Sequence, residues 1–121
     1  MSNEKHITKR KRFELAVRII QLARYLQTEK DEYILSKQIL RSGTSIGADI
    51  EEASAGQSRR DFRSKMSIAS KEARETMYWL RLMKKTRFVE KKLADSLFHD
   101  CSELVSLLTS IVKTTAQRCE A

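Results

Sequence analysis

Apolar residues recur at intervals of three and four along almost the whole chain, which is the period of amphipathic α-helices. The pattern is interrupted three times, so it predicts four helices at about residues 8–28, 33–55, 59–86 and 90–117. Pro is absent and only three Gly occur, so the chain lacks the turn residues that β-hairpins need. The sequence therefore predicts an all-α protein with a single domain at residues 1–121.

Long helices joined by short connections favour an antiparallel, up-down-up-down four-helix bundle. Gly43 and Gly47 lie inside the second predicted helix, where each disfavours the helix by about 1 kcal/mol relative to Ala. Two explanations are open from the sequence. Either a neighbouring helix packs closely against these positions, or the missing side chains open a ligand pocket.

The first helix carries two apolar lines where a bundle helix needs only one. We assign the second line to a contact between chains, together with a line on the third helix. The first line is assigned to the core and consists of Phe13, Ala16, Val17, Ile20 and Ala23. The predicted interface residues are Leu15, Ile19, Leu22, Leu26, Ile68, Glu72, Glu75, Trp79 and Leu82. Exposed apolar stripes are typical of partner surfaces, and most soluble oligomers are homo-oligomers, so the expected partner is the chain itself. The alternative is a broad core face on a helix that is buried from two sides.

Positive charge is concentrated in the first and third helices, in a chain with 24 Lys/Arg against 16 Asp/Glu. In an antiparallel bundle the two helix starts lie near one another, and their clusters are predicted to form one basic end. The predicted phosphate-binding residues are Lys9, Arg10, Lys11, Arg12, Arg59, Arg60, Arg63 and Lys65. Further positive charge lies at Arg81, Lys84, Lys85 and Arg87. Such a patch binds nucleic-acid backbone without reading bases; the alternative is an ordinary solvated helix surface.

Two acidic pairs, Asp49/Glu52 and Glu72/Glu75, each lie on one helical face because of their three-residue spacing. Carboxylates can hold Mg²⁺, and the spacing is similar to that of all-α nucleoside triphosphate pyrophosphohydrolases, although the Asp stands in the wrong pair. That enzyme is the alternative function. We expect no metal, no cofactor and no catalytic residue. The arginines available to pair with Glu72 or Glu75 are Arg18, Arg41 and Arg74.

No apolar run approaches the ~18 residues that a membrane span needs, and the N-terminus lacks an apolar signal segment. The two Cys and two His match neither a disulfide framework nor a zinc site. We therefore expect a cytoplasmic protein with no membrane partner.

Residues 41–52, RSGTSIGADIEE, resemble the R-x-x-x-S-I-x-x-N-I-x-E signature of the 23S rRNA intervening-sequence family. Residues 58–80 are similar to the S-x-x-D-F and I-A-x-x-E-A-x-E-x-x-Y-W-L block of the same family. The resemblance covers about residues 10–115. Asp49 departs from the usual Asn, and Ala53 from the usual Gly.

The resemblance implies a four-helix bundle that assembles as a ring-like homopentamer. It also implies a relation to the accessory protein of diversity-generating retroelements, which engages a reverse transcriptase and nucleic acid. No enzymatic activity is established for the family. The expected function is a non-enzymatic, basic, oligomeric scaffold that binds RNA or a nucleoprotein, and the second alternative is a protein-binding scaffold without nucleic acid.

Overall fold

The computed structural model of the protein describes residues 2–55 and 58–120, with side chains for residues 9–55 and 58–115. It contains four helices: α1 (Ser2–Glu29), α2 (Ile34–Ser54), α3 (Arg59–Lys85) and α4 (Lys91–Glu120). The described residues form no strand. The prediction of an all-α chain with four helices is confirmed. The boundaries agree within two residues, except that α1 begins earlier and α4 ends later than predicted.

The ends of the helices follow from local backbone chemistry. Asp31, after α1, and Arg87, after α3, have positive φ angles of 50° and 65°, which turn the chain out of the helix. Glu32 accepts hydrogen bonds from two backbone N–H groups in the first turn of α2. The Ser58 hydroxyl accepts a hydrogen bond from the backbone N–H of Asp61 at 3.1 Å, which caps the start of α3.

Each helix packs against the next one along the chain, and α4 also packs against α1. Near the α1–α2 connection, Gln27 donates a hydrogen bond to Ser36 at 3.2 Å. At the far end of the same two helices, Arg12 of α1 contacts Glu51 of α2. The start of α1 therefore lies beside the end of α2 in a four-helix bundle. Among the described residues, no helix is long and apolar enough to cross a bilayer.

The core contains the apolar line of α1 that the sequence analysis assigned to an interface between chains. The four residues of this line, each at most 3% exposed, are Leu15, Ile19, Leu22 and Leu26. In the line assigned to the core, Phe13 is 71% exposed, Val17 and Ile20 are partly exposed, and only Ala23 is buried. Apart from Ala23, the two lines were thus assigned the wrong way round.

The neighbours of the Leu15 line explain why it faces inward. On one side Arg18 contacts Asp100 of α4 at 2.6 Å, and on the other Arg12 contacts Glu51 of α2. The Leu15 line lies between these two contacts on the helix surface, and it therefore points to the bundle axis. Both lines have the same period, so periodicity alone could not choose between them.

The two glycines of α2 have different surroundings. A Cβ on Gly43 would lie 2.7 Å from Cγ2 of Ile19, so α1 and α2 pack closely at this position. A Cβ on Gly47 would meet only Cγ of Arg12, at 3.9 Å. Close packing is therefore confirmed for Gly43, whereas Gly47 lines an open groove between the same helices.

Candidate nucleic-acid interface

The eight predicted phosphate-binding residues divide into a paired and an unpaired group. Three of them contact carboxylates, in the pairs Lys11–Glu103, Arg12–Glu51 and Lys65–Glu52. Arg12 is also only 7% exposed, so its charge is largely committed within the bundle. The other five carry no ion pair among the described side chains: Lys9, Arg10, Arg59, Arg60 and Arg63.

Two of the acidic partners come from the last turns of α2. Glu51 reaches α1 and Glu52 reaches Lys65 of α3, because α2 packs between those two helices. The third partner is Glu103 of α4, whose pKa is lowered by its hydrogen bond to Lys11. The net charge of each segment did not reveal these contacts, since it does not say which turn of a helix faces which neighbour. Acidic side chains thus lie between the two basic clusters.

A groove of about 520 Å³ runs between α1 and α2 beside the unpaired residues of α1. Its lining combines exposed cations with apolar surface, and consists of Lys9, Arg10, Arg12, Phe13, Ala16, Thr44, Gly47, Ala48 and Glu51. A pocket at the glycines of α2 was one of the two alternatives from the sequence, but the part that α1 plays in its lining was missed, because Phe13 was assigned to the core. The flanking basic cluster and the small residues of α2 were the signals that could have indicated it.

The start of α3 brings three arginines together. Arg59 and Arg60 are exposed and Arg63 is half-buried. The partial positive charge of a helix N-terminus adds to theirs and favours a bound anion. These residues can contact phosphate groups, and contacts of that kind carry no sequence information.

Arg41 of α2 joins the second acidic pair. Its guanidinium contacts Glu72 at 3.4 Å and also contacts Glu75, which settles the choice among the three arginines that the sequence offered. Burial raises the pKa of Glu72 in spite of this contact. Glu75 and Glu72 are thus paired within a single chain.

Asp49 of the first acidic pair is in a different environment. Its Oδ2 atom is buried and has no hydrogen-bond partner among the described residues. Burial, and then the nearby Glu52, raise the pKa of Asp49. In the described part of the chain, no three His, Cys, Asp or Glu residues are arranged to hold a metal ion.

The predicted interface line on α3 remains on the surface, unlike that on α1. Ile68 is 40% exposed, and Trp79 and Leu82 are half-buried. The neighbouring Tyr78 ring stands edge-on to the Trp79 ring, with a centroid distance of 5.2 Å. The exposed apolar surface of the bundle therefore includes this line and the outward line of α1.

Comparison with known proteins gives a consistent picture. The sequence model of the family described as 23S rRNA-intervening sequence protein matches residues 4–110. A similar solved structure is that of a protein of unknown function from the S23 ribosomal protein family of Bacteroides thetaiotaomicron VPI-5482. The two chains are 48% identical with a TM-score of 0.89, over 91% of this chain and 98% of the other. No curated protein matches the sequence significantly.

Proposed function

The chain belongs to the 23S rRNA-intervening sequence protein family, and on that premise we propose that it is a non-enzymatic, basic, oligomeric scaffold for RNA or a nucleoprotein in the cytoplasm. The observation that carries this proposal is a set of five cations at the α1–α2 groove and the start of α3 that form no ion pair with any described side chain, in a chain of net charge +8. We refer to Lys9, Arg10, Arg59, Arg60 and Arg63 as the basic end. Counterion release from phosphates would supply most of its affinity.

Replacing Lys9, Arg10 and Arg59 by Ser tests this role. We expect weaker binding to all RNA sequences alike, because contacts to the backbone carry no base information. Each lost contact lowers the slope of log affinity against log salt by about 0.7 for a single strand, so the slope should fall by about 2. Fluorescence anisotropy with a labelled oligonucleotide over a salt series measures both effects.

The matched control replaces Arg24, Lys37 and Lys92 by Ser. These exposed residues lie late in α1, early in α2 and early in α4, at the end of the bundle opposite the basic end, and their loss changes the net charge by the same amount. The control should bind RNA nearly as the parent protein does. If the parent protein retains no RNA at about 50 mM salt, the nucleic-acid role is wrong and a protein-binding scaffold is left.

Self-association in a ring-like homopentamer is the second part of the proposal. The polar contacts between neighbouring helices support an antiparallel, up-down-up-down bundle as its subunit. The exposed apolar residues Phe13, Val17, Ile20 and Ile68 supply surface that a second copy would cover. Leu15, Ile19, Leu22 and Leu26 are no longer part of the proposed interface, because they fill the core.

The contacts of the acidic pairs weigh against a pyrophosphohydrolase. Such an enzyme needs carboxylates that are free to bind a metal ion, whereas Arg41 is bonded to Glu72 and Glu75, and Lys65 to Glu52. A guanidinium already supplies the positive charge beside the second pair. These contacts support a structural role for the acidic residues.

A further inference from the structure

A row of basic side chains runs along the outer face of α3 from its first turn to its last. The members recur at helical spacing and are Arg60, Arg63, Lys71, Arg74, Arg81 and Lys85. All except the half-buried Arg63 are exposed, and none has an ion pair among the described side chains. We call this row the α3 basic face. At 1.5 Å per residue it is about 37 Å long, and successive cations are on average about 7 Å apart along the helix axis.

The acidic residues of α3 lie elsewhere on the helix. Glu72 and Glu75 face α2, where both contact Arg41. Asp61 interacts with Lys65, which is itself bonded to Glu52 of α2. The negative charge of α3 is therefore on its α2 side, and the outer face carries positive charge alone. Such a surface is complementary to a continuous line of phosphates.

Tyr78 lies within this row, between Arg74 and Arg81. Its side chain is 54% exposed, and its ring is held edge-on to Trp79 at an interplanar angle of 65°. A groove of about 400 Å³ opens beside it, lined by Tyr78, Arg81, Leu82, Lys84 and Lys85. An exposed aromatic ring among cations is the arrangement with which proteins bind single strands, because any base can stack on the ring.

We propose that the α3 basic face is a track for single-stranded RNA, with its cations on successive phosphates and one base stacked on Tyr78. This inference rests on the proposed RNA role and extends it, since Arg60 and Arg63 of the basic end are the first residues of the track. The strand runs from the basic end along α3 to the opposite end of the bundle. Duplex RNA is the poorer ligand, because its bases are already stacked on one another.

The first experiment replaces Arg74, Arg81 and Lys85 by Ser and measures binding of a short oligouridine over about 50–200 mM salt. The salt slope should fall by about 2, as three phosphate contacts are lost. The control with Arg24, Lys37 and Lys92 replaced by Ser should keep the parental slope. All six side chains are exposed, so the helical content should remain unchanged.

The second experiment compares Tyr78→Leu with Tyr78→Phe. Loss of one stacked base should weaken oligouridine binding about 5- to 150-fold in the Leu variant, whereas the Phe variant keeps the ring and the affinity. An abasic phosphodiester of the same length should bind both variants equally. Equal binding of oligouridine by both variants would show that no base stacks on Tyr78. The same conclusion would follow if Tyr78→Leu weakened binding of the abasic strand as much as binding of oligouridine.

The outcomes separate this inference from the proposed function. If only substitutions at Lys9, Arg10 and Arg59 weaken binding, the RNA role stands and the track on α3 is wrong. If the parent protein binds no RNA, the proposed function and the track on α3 are both wrong. If polyglutamate binds as tightly as the abasic strand and is lost in the same α3 variant, the face is a site for an acidic polypeptide instead.

Discussion

Asp49 keeps a carboxylate oxygen inside the bundle without a hydrogen-bond partner among the described residues. Burial raises its pKa, which means that the folded chain binds the Asp49 proton more tightly than the unfolded chain does. Ionisation of this group at neutral pH therefore opposes folding, and the opposition disappears below the pKa of the unfolded state.

Asp49→Asn should raise the free energy of unfolding at pH 7 by roughly 1 kcal/mol, because it removes a partly buried charge. The gain should shrink as the pH falls through the raised pKa and vanish once Asp49 is protonated in both states. Urea unfolding at neutral and at acidic pH measures the difference. Glu52→Gln is the control, and it should give no comparable gain, because the loss of its contact with Lys65 offsets the relief of its repulsion of Asp49. An equal gain at both pH values would show that shape, and not charge, is responsible.

At the scale of one helix, Gly43 and Gly47 form a matched pair in α2. Gly47→Ala should stabilise the protein by about 0.5–1 kcal/mol, because it raises helix propensity and meets no close atom. Gly43→Ala gains the same propensity, but its Cβ would overlap the branched Ile19 side chain. We expect a net loss of about 1–2 kcal/mol.

A double-mutant cycle checks the cause of that loss. In the Ile19→Ala background, Gly43→Ala should cost clearly less than in the parent chain, because the overlapping Cγ1 and Cγ2 atoms of Ile19 are gone. Thermal or urea unfolding of the four proteins provides the numbers. An unchanged cost would mean that Ile19 is not the obstacle.

The four helices were predictable from the sequence. Which side of each helix faces the core was predictable only in part. Helical period and missing turn residues suffice for four helices, since both are local properties of the chain. The direction in which α1 faces depends on contacts with α2 and α4 that are distant in sequence, such as Arg18 with Asp100. The buried hydrogen bond between Ser42 and Thr76, at 2.9 Å, likewise has no local signal.

The candidate site, too, was predictable only where it depends on local features of the sequence. The exposed cations Lys9, Arg10 and Arg59 lie on the surface, as the charge pattern suggested. The partners of Lys11, Arg12 and Lys65 were missed, because a local count of charge does not show which acidic residue of another helix faces each cation. The exposed position of Phe13 was also missed, because the two apolar lines of α1 have the same period and the sequence does not show which of them faces the core.

At the scale of the whole molecule, two substitutions on α1 separate folding from assembly. Leu22 is 3% exposed and Phe13 is 71% exposed. Leu22→Asp should remove the helical circular dichroism or lower the free energy of unfolding by about 4 kcal/mol, because it buries an unpaired charge. Phe13→Asp should keep the helical signal and weaken self-association, because its charge would lie in the proposed interface.

Light scattering and circular dichroism on the same samples distinguish these outcomes. Gln21→Asp is the control, since Gln21 is an exposed residue of α1 and the substitution adds the same charge. A parent protein that scatters as a 14.0 kDa monomer at micromolar concentration would contradict the proposed assembly. A normal helical signal together with an unchanged free energy of unfolding in Leu22→Asp would contradict the buried position of Leu22.

The basic row on the outer face of α3 gives the chain an uneven charge distribution, because Glu72 and Glu75 on the α2 side of this helix are already paired with Arg41. A molecule of this kind rotates in the field of a polyanion before the two touch, so that more of their collisions begin in a productive orientation. The association rate constant, and not only the affinity, should therefore fall as ionic strength shortens the reach of the field. The orientation would be set while the partners are still about 10 Å apart, at a distance where no side chain has yet made contact.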